Sequence, residues 1–539
     1  MLFRVANREQ AQGVGGVVLR DVLPKRDKLW IFYPGLFQLN ICLLGALVCD
    51  ITNGYDGSML NGLQSVDPWQ DYFHHPKGGH LGIITNGARI GQIAALLIIS
   101  PLINRLGRRW PIVIGSVIIL GGVAMQTAAK NNATFILGRV MLGFGNNIQQ
   151  CASPILISEL AYPAQRPKVT AIMNTTGSLG QIMAAWITYG TARGLAHNSW
   201  SWRLPSVLQA ASSIFQIVMI TFFCPESPRW LAWHGRTREA RAILTKYHAE
   251  GDETSPLVSF EMAEIEYTLE AERANSKGAS WLEWFRTPAN RHRFFIVLTL
   301  GFMIQWCGNA VLSYYLHLVL NSFGITSSTT QLVINGCNTI SGFCFGILWS
   351  LLIDRIGRRK LFLTGMAGMF CAFLLLTVFT GVNSGQDFSS QGLSGAAVAM
   401  IFVFGAFYKM AGPTQDAYFM EVSPYGLRAK TSVIKQFGDA GANLFSGFVN
   451  PIGLEAIAWK YYIVWCCVLI SNFLIIYFFF PETKNLSLEE VTQMFDGHEI
   501  SQHAIKEQEI ERHEERVDGD GKQSSVEMVE SVLGKQAEV

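Results

Sequence analysis

Charged side chains inside long apolar runs are the residues of this chain best placed to do chemistry, because a charge at the centre of a hydrocarbon layer costs ~2.5–3.5 kcal/mol even on insertion scales. Asp50, Asp56, Arg89, Arg139, Lys409, Asp416, Lys435 and Asp439 all lie within or near such runs. A carboxylate facing a buried guanidinium is ionised and paired, whereas protonation cancels the attraction and lets the helices part. Asp56 and Arg139 are the foremost pair for such a proton switch, with a permanent salt bridge as the simpler reading. Asp50 is a second carboxylate on the same helix, and Gly54 just before Asp56 is expected to loosen that helix. Lys435 and Asp439 are four apart and are expected to neutralise each other. Arg89 lies 18 residues before Gly107, about 27 Å at the helical rise, so it is expected near the outer end of its helix, reaching lipid headgroups or binding a carboxylate.

A second set of charges occupies short loops: Arg108, Arg109, Glu159, Arg166 and Glu226, then Asp354, Arg358, Arg359, Glu421, Arg428 and Glu482. Their spacing suits bidentate arginine–carboxylate bonds that form in one state and open in another, a conformational latch, as against a merely solvated basic cluster. No metal-ligand cluster, nucleophile elbow or phosphate-binding loop occurs, so an enzyme is disfavoured and no cofactor or metal is expected.

The elements that must hold these residues are membrane helices. Of 539 residues half are apolar and only 15% charged, against roughly 25% charged in an average soluble protein. The net charge of +2 leaves no positive field for a phosphate backbone, which excludes nucleic acid as a partner. Uncharged runs of about 20 residues recur along the chain, and with three charge-bearing runs they make twelve spans, an all-α membrane protein in contact with lipid. The ten-residue alternation of a transmembrane barrel is missing. Lys and Arg concentrate in alternate loops, which places those loops and both termini in the cytosol. All ten cysteines lie within or at the ends of spans, as fillers in helix packing. The expected organisation is a cytoplasmic segment over 1–35, a six-helix half over 36–225, a charged cytoplasmic loop with short helices over 226–293, a second six-helix half over 294–481, and a largely disordered tail over 482–539.

The two halves repeat the same words. Asn104-Arg-Leu-Gly-Arg-Arg109 returns as Asp354-Arg-Ile-Gly-Arg-Arg359, Glu159 and Arg166 as Glu421 and Arg428, and Pro225-Glu-Ser as Pro481-Glu-Thr, at offsets of 250, 262 and 256. Two homologous halves imply a pseudo-two-fold axis along the membrane normal and a cavity that opens to alternate sides by rocking. With Gly138-Arg139-x-x-x-Gly143-x-Gly145, Pro225-Glu-Ser-Pro-Arg-Trp-Leu231 and Pro481-Glu-Thr-Lys-Asn-Leu-Ser-Leu-Glu-Glu490, these motifs resemble the sugar porter family of the major facilitator superfamily, over about Phe37 to Glu490. The stretches Gly54 to Gln64 and Gln305 to Tyr315 further resemble fungal lactose-permease-like and hexose-transporter-like members. Asn104 stands where the family's first-half loop usually has Asp.

The resemblance implies a monomeric, plasma-membrane, proton-coupled sugar symporter, with Asp56 and Arg139 as the coupling pair. A facilitative hexose uniporter and a transporter-like sugar sensor are the alternatives. A sugar offers many hydroxyls and an apolar ring face, so its site needs amides and aromatic walls. By family position Asn174, Gln181 and Asn443 are candidates, and Gln305 and Asn309, four apart on the seventh helix, share a face with Tyr315 nearby. Each intramembrane amide alone reads equally as helix-to-helix glue. Asp416 and Ala440 occupy positions where many monosaccharide-transporting members place tryptophans, which implies a larger, more polar cavity and favours a disaccharide such as lactose or cellobiose.

Overall fold

The computed structural model describes residues 30–274, 281–386, 390–423 and 427–484, together with 23, 24, 388, 491, 494 and 495. Among the described residues regular structure is helical, without strands. The first half comprises α1 (Pro34–Leu63), α2 (Gly78–Leu106), α3 (Arg109–Thr127), α4 (Asn132–Leu160), α5 (Arg166–Gly194) and α6 (Trp200–Val218, continued by a π-helical turn at Met219–Phe223). The second comprises α7 (Pro288–Gln305, resumed at Asn309–Tyr314 and Leu316–Asn321), α8 (Ser328–Ile356), α9 (Arg358–Ser384), α10 (Gln391–Val422), α11 (Arg428–Ile457) and α12 (Tyr461–Phe479). Several starts carry a side-chain cap, as where Asn131 accepts from Thr134 N at 2.8 Å and Thr287 from Asn290 N at 3.1 Å.

By length and hydropathy nine stretches among the described residues could cross a membrane, one of which, Lys430–Phe479, covers both α11 and α12. Although they are 29 residues long, α4 and α5 are not among them. In α4 the reason is a run of interior amides, Asn146, Asn147, Gln149 and Gln150, which face neighbouring helices rather than lipid. A hydropathy window underrates a helix whose polar groups are satisfied inside the bundle.

The sequence repeat reappears as a packing repeat. In the first half α1 packs on α5, α3 on α4, α2 on α4 and α3 on α6; in the second α7 packs on α11, α9 on α10, α8 on α10 and α9 on α12. The halves meet along α2 against α11 and α5 against α8. Gly54 does not loosen α1, which runs unbroken through it. A Cβ at Gly54 would collide with the Gly177 carbonyl of α5, so this glycine permits close helix contact instead.

The polar contacts between halves lie toward the ends of the helices remote from the Gly-Arg-Arg loops. Asn61 Nδ2 donates to Asn335 Oδ1 at 3.0 Å and Asn61 Oδ1 accepts from Leu316 N at 3.3 Å, while Gln64 Nε2 donates to Tyr314 O at 2.7 Å. The Tyr315 hydroxyl joins Thr85 Oγ1 at 2.7 Å and Gly447 O at 2.6 Å, and Ser328 Oγ donates to Asp67 Oδ1 at 2.9 Å. At the opposite, basic face the hydrogen bonds of the loop motifs stay within each half. The interior is therefore sealed at one face and parted at the other.

The charged connection folds in two parts. Helix Thr237–His248 docks on the first half, where Glu250 accepts from Gly35 N at 2.7 Å at the start of α1 and His248 Nε2 bonds Leu160 O at 3.2 Å. Trp284, in a short turn at Glu283–Arg286, packs with Val297, Leu427 and Ile434 of the second half.

Candidate functional site

Asp56 and Arg139 meet. Asp56 Oδ1 accepts from Arg139 Nη1 at 2.5 Å, and the guanidine side chain is 3% exposed against 16% for the carboxylate. Close approach of α2 makes room, since Gly87 of α2 stands against the Arg139 Cβ. A third partner was not legible in the sequence: Gln209 Nε2 of α6 donates to the same oxygen at 3.1 Å. Its only signal was an amide in an uncharged run that also carries Ser206, Ser212, Ser213 and Gln216. Thr52, Gln92 and Asn146 border a small cleft beside the carboxylate, and Asn146 also donates to Asn53 Oδ1 at 2.8 Å. The arrangement aims two hydrogen-bond donors from two other helices at one carboxylate oxygen of α1. Asp50 lies on the same helix, accepting from Gln150 Nε2 of α4 at 3.2 Å.

The amides named for substrate divide. Gln181 is half-buried on α5, and the side chains of Asn174 and Asp416 lie outside the described residues. Gln305 and Asn309 do not share a helical face, because the seventh span is interrupted between them: α7 ends at Gln305, and Gly308 takes φ +89° before the helix resumes at Asn309. A Cβ at Gly308 would lie 2.6 Å from Phe373 and the left-handed backbone disfavours any other residue, so the break is built in. Both amides remain half-buried, Asn309 accepting from Ser313 Oγ at 2.9 Å. Tyr315 is fully buried in the sealed face.

Asn443 is engaged by Arg89, whose Nη1 donates to its O at 3.0 Å and its Oδ1 at 2.9 Å. The expectation that Arg89 reaches lipid headgroups fails. Its 27 Å from Gly107 was measured along a helix of 29 residues that begins at Gly78, so about three turns separate Arg89 from the outer end and its side chain turns to the interface between halves. Lys435 Nζ lies 2.9 Å from Asp439 Oδ2, as their spacing implied.

At the basic face the two halves build the same structure twice. Arg108 donates Nε and Nη2 to the two oxygens of Glu159 at 2.9 and 3.0 Å, and Ser227 Oγ donates to Glu159 Oε2 at 2.5 Å. Arg358 Nε and Nη2 both reach Glu421 Oε1, at 3.1 and 2.9 Å, and Thr483 Oγ1 donates to Glu421 Oε2 at 2.6 Å. Glu226 accepts from the N–H groups of Arg108 and Ser227, each at 2.9 Å, and Glu482 accepts from Arg358 N at 2.9 Å. Each carboxylate sits where a Cβ on the loop glycine would fall: Gly107 at φ +88° beside Glu226, Gly357 at φ +105° beside Glu482. Burial raises the Glu226 pKa above its ordinary value, outweighing the backbone N–H groups that pull it down. Arg109 donates to the backbone of Ile220 and Thr221, and Arg359 to Tyr477 O at 2.6 Å. Arg166 is half-buried at the start of α5, and the side chains of Asp354 and Arg428 lie outside the described residues.

Comparison with known proteins agrees with this architecture. Residues 41–495 match the family described as sugar (and other) transporter. The MFS-type transporter oryC of Aspergillus oryzae is 30% identical, over 82% of each chain. The high-affinity glucose transporter of Kluyveromyces lactis is 27% identical, over 88% of this chain and 89% of its own. An inward-open structure of the xylose transporter XylE from E. coli superposes with a TM-score of 0.69 at 21% identity, over 85% of this chain and 99% of its own; XylE is also described as a proton:xylose symporter. With matched six-helix halves, a doubled arginine–glutamate motif and relatives that are transporters rather than enzymes, the chain belongs to the sugar porter family of the major facilitator superfamily.

Proposed function

We propose that the protein is a proton-coupled sugar symporter of the plasma membrane, working as a monomer by alternating access, with the Gly-Arg-Arg face and both termini in the cytosol. The substrate is a disaccharide of the lactose or cellobiose kind, or a hexose. The observation that carries the coupling is the enclosed triad of Asp56, Arg139 and Gln209, in which one carboxylate oxygen takes both donors. Deprotonated, Asp56 ties α1 to α4 and α6. Protonated, it releases Arg139 and lets α1 move with substrate bound, so proton and sugar favour the same transition.

The basic excess of the Gly-Arg-Arg loops supports the cytosolic assignment, and likeness to a glucose transporter and a xylose transporter supports the substrate class. The arginine–glutamate pairs act as a conformational latch whose bonds form in one state and open in another. Uptake of labelled sugar into proteoliposomes, with and without an inwardly directed proton gradient, tests the reading. Accumulation above equilibrium only with the gradient is expected; equal uptake in both conditions makes the protein a uniporter.

A further inference from the structure

Lys409 stands about halfway along α10, on the face turned to α8. A Cβ at Gly342 of α8 would lie 3.3 Å from Lys409 Cε, and one at Gly405, a turn earlier, 3.5 Å from Asn338 Oδ1 of α8. Other faces of α10 are taken: Gln415 Nε2 donates to Leu300 O of α7 at 3.0 Å, and Phe407 packs over Gly368 of α9. On the helical wheel Gly412 falls between the α7-facing Gln415 and the α8-facing Lys409, and a Cβ there would meet nothing within 4 Å. Gly346, one turn beyond Gly342 on α8, is equally open. The lysine therefore borders open space between the halves, on the side that the parted face exposes.

Its electrostatic position differs from that of the other interior charges. Arg139 has Asp56, Lys435 has Asp439, and Arg89 has the two oxygens of Asn443. Among the described residues the Lys409 ammonium has no hydrogen-bond or ion-pair partner. In this form the side chain is already half-buried. Once the halves close and water leaves, an uncompensated ammonium in a low-dielectric interior is strongly unfavourable, and a bound anion removes the penalty.

We propose that Lys409 is the anion-binding element of the substrate site and takes the carboxylate of an acidic sugar, an aldonic or uronic acid, whose hydroxyls meet the amides of the same cavity. This assignment rests on the sugar-transport reading and narrows it. A neutral sugar would leave the closed state with a buried unpaired cation; a sugar acid brings its own counter-charge.

The test uses the full chain in proteoliposomes at one fixed pH. Uptake of labelled glucose and labelled gluconate is measured, each competed by the neutral and acidic member of three pairs: glucose and gluconate, galactose and galacturonate, lactose and lactobionate. The acid of at least one pair is expected to inhibit at a concentration tenfold or more below its neutral partner. Lys409→Arg should keep that ratio and Lys409→Gln should bring it to about one. Uptake of glucose with equal or weaker inhibition by every acid overturns the assignment and leaves sugar transport standing. Failure of wild type to take up either label, or labelled lactose, cellobiose or lactobionate, overturns both. Because the ratio is read in wild type, a variant that fails to fold does not rescue the idea. Recovery of Lys409→Asp by Asp50→Lys, to wild-type uptake with no acid preference, assigns Lys409 to a gate pair with Asp50 and also overturns it.

Discussion

Through Nη1 alone, Arg89 of α2 grips both the backbone oxygen and Oδ1 of Asn443 in α11, at 3.0 and 2.9 Å, with its Cζ 4.3 Å from the ring centroid of Tyr314. One side chain of the first half thus holds two helices of the second. An amide that family position assigned to sugar is occupied here by a guanidinium, so Asn443 is free for any other partner only when this contact breaks.

Arg89→Ala should weaken that seal. Hydrogen bonds to a charged group contribute about 1.5–3 kcal/mol and an arginine over a tyrosine about 1 kcal/mol, so the balance should shift by roughly 2 kcal/mol toward opening at this face. A cysteine replacing Gln64, fully buried in the seal, should then react with a membrane-impermeant maleimide at least tenfold faster in the Arg89→Ala background. Equal rates would show that the clamp does not hold the seal.

Asp56→Asn should abolish accumulation against a gradient while preserving sugar exchange, because the switch is then held in its neutral form. Gln209→Leu, which removes one of two donors from the same oxygen, should lower the initial rate of proton-driven uptake several-fold and keep coupling. If Gln209→Leu matched wild type in rate, the amide would be helix glue only.

For Glu226 the sign of the pH effect follows from burial. A carboxyl whose folded pKa is raised adds stability that is complete below the ordinary value, 4.5, and is lost as pH rises through the folded one. Wild type should therefore gain stability relative to Glu226→Gln as pH falls from neutrality toward 4.5. Melting temperatures of both proteins in detergent, taken from pH 7.5 to 5, should show the difference between them shifting in favour of wild type as pH falls. A gap that widens against wild type on acidification would reverse the assignment.

Ala440→Trp tests the size of the cavity. Phe437, one turn earlier on α11, is 72% exposed, while Trp306 is tied to Ala442 O at 3.2 Å. An added indole buries on the order of 200 Å² and should reduce uptake of a disaccharide, neutral or acidic, tenfold or more while sparing the corresponding hexose. Unchanged disaccharide uptake would mean that Ala440 does not bound the site.

The motifs of the basic face were readable from the chain because each is a short fixed string, Gly-Arg-Arg or Pro-Glu, that recurs in the other half, although the partners they join stand as far apart as Arg108 and Glu226, 118 positions. Their doubling made the six-and-six division readable as well. Less was legible where residues far apart in sequence meet. Nothing near Gln209 announces its bond to Asp56, 153 positions away, and the depth of Arg89 depended on where α2 begins. Gly54 looked like a point of flexibility because its partner, Gly177, belongs to another helix. The interruption of the seventh span erased a face-sharing argument that holds only for an unbroken helix.

That interruption also makes the outer piece of the seventh span, Asn309 to Asn321, a lever separable from the body that carries it. Tyr314, Tyr315 and Leu316, which supply much of the seal, all sit on this short arm, and its pivot is Gly308. Opening of the sealed face can then begin as a swing of two helical turns that breaks a few hydrogen bonds, before α2 and α11 separate. Admission of substrate and the larger rocking stroke become separate events in time. Stiffening the pivot with Gly308→Ala should slow opening of the sealed face more than opening of the basic face.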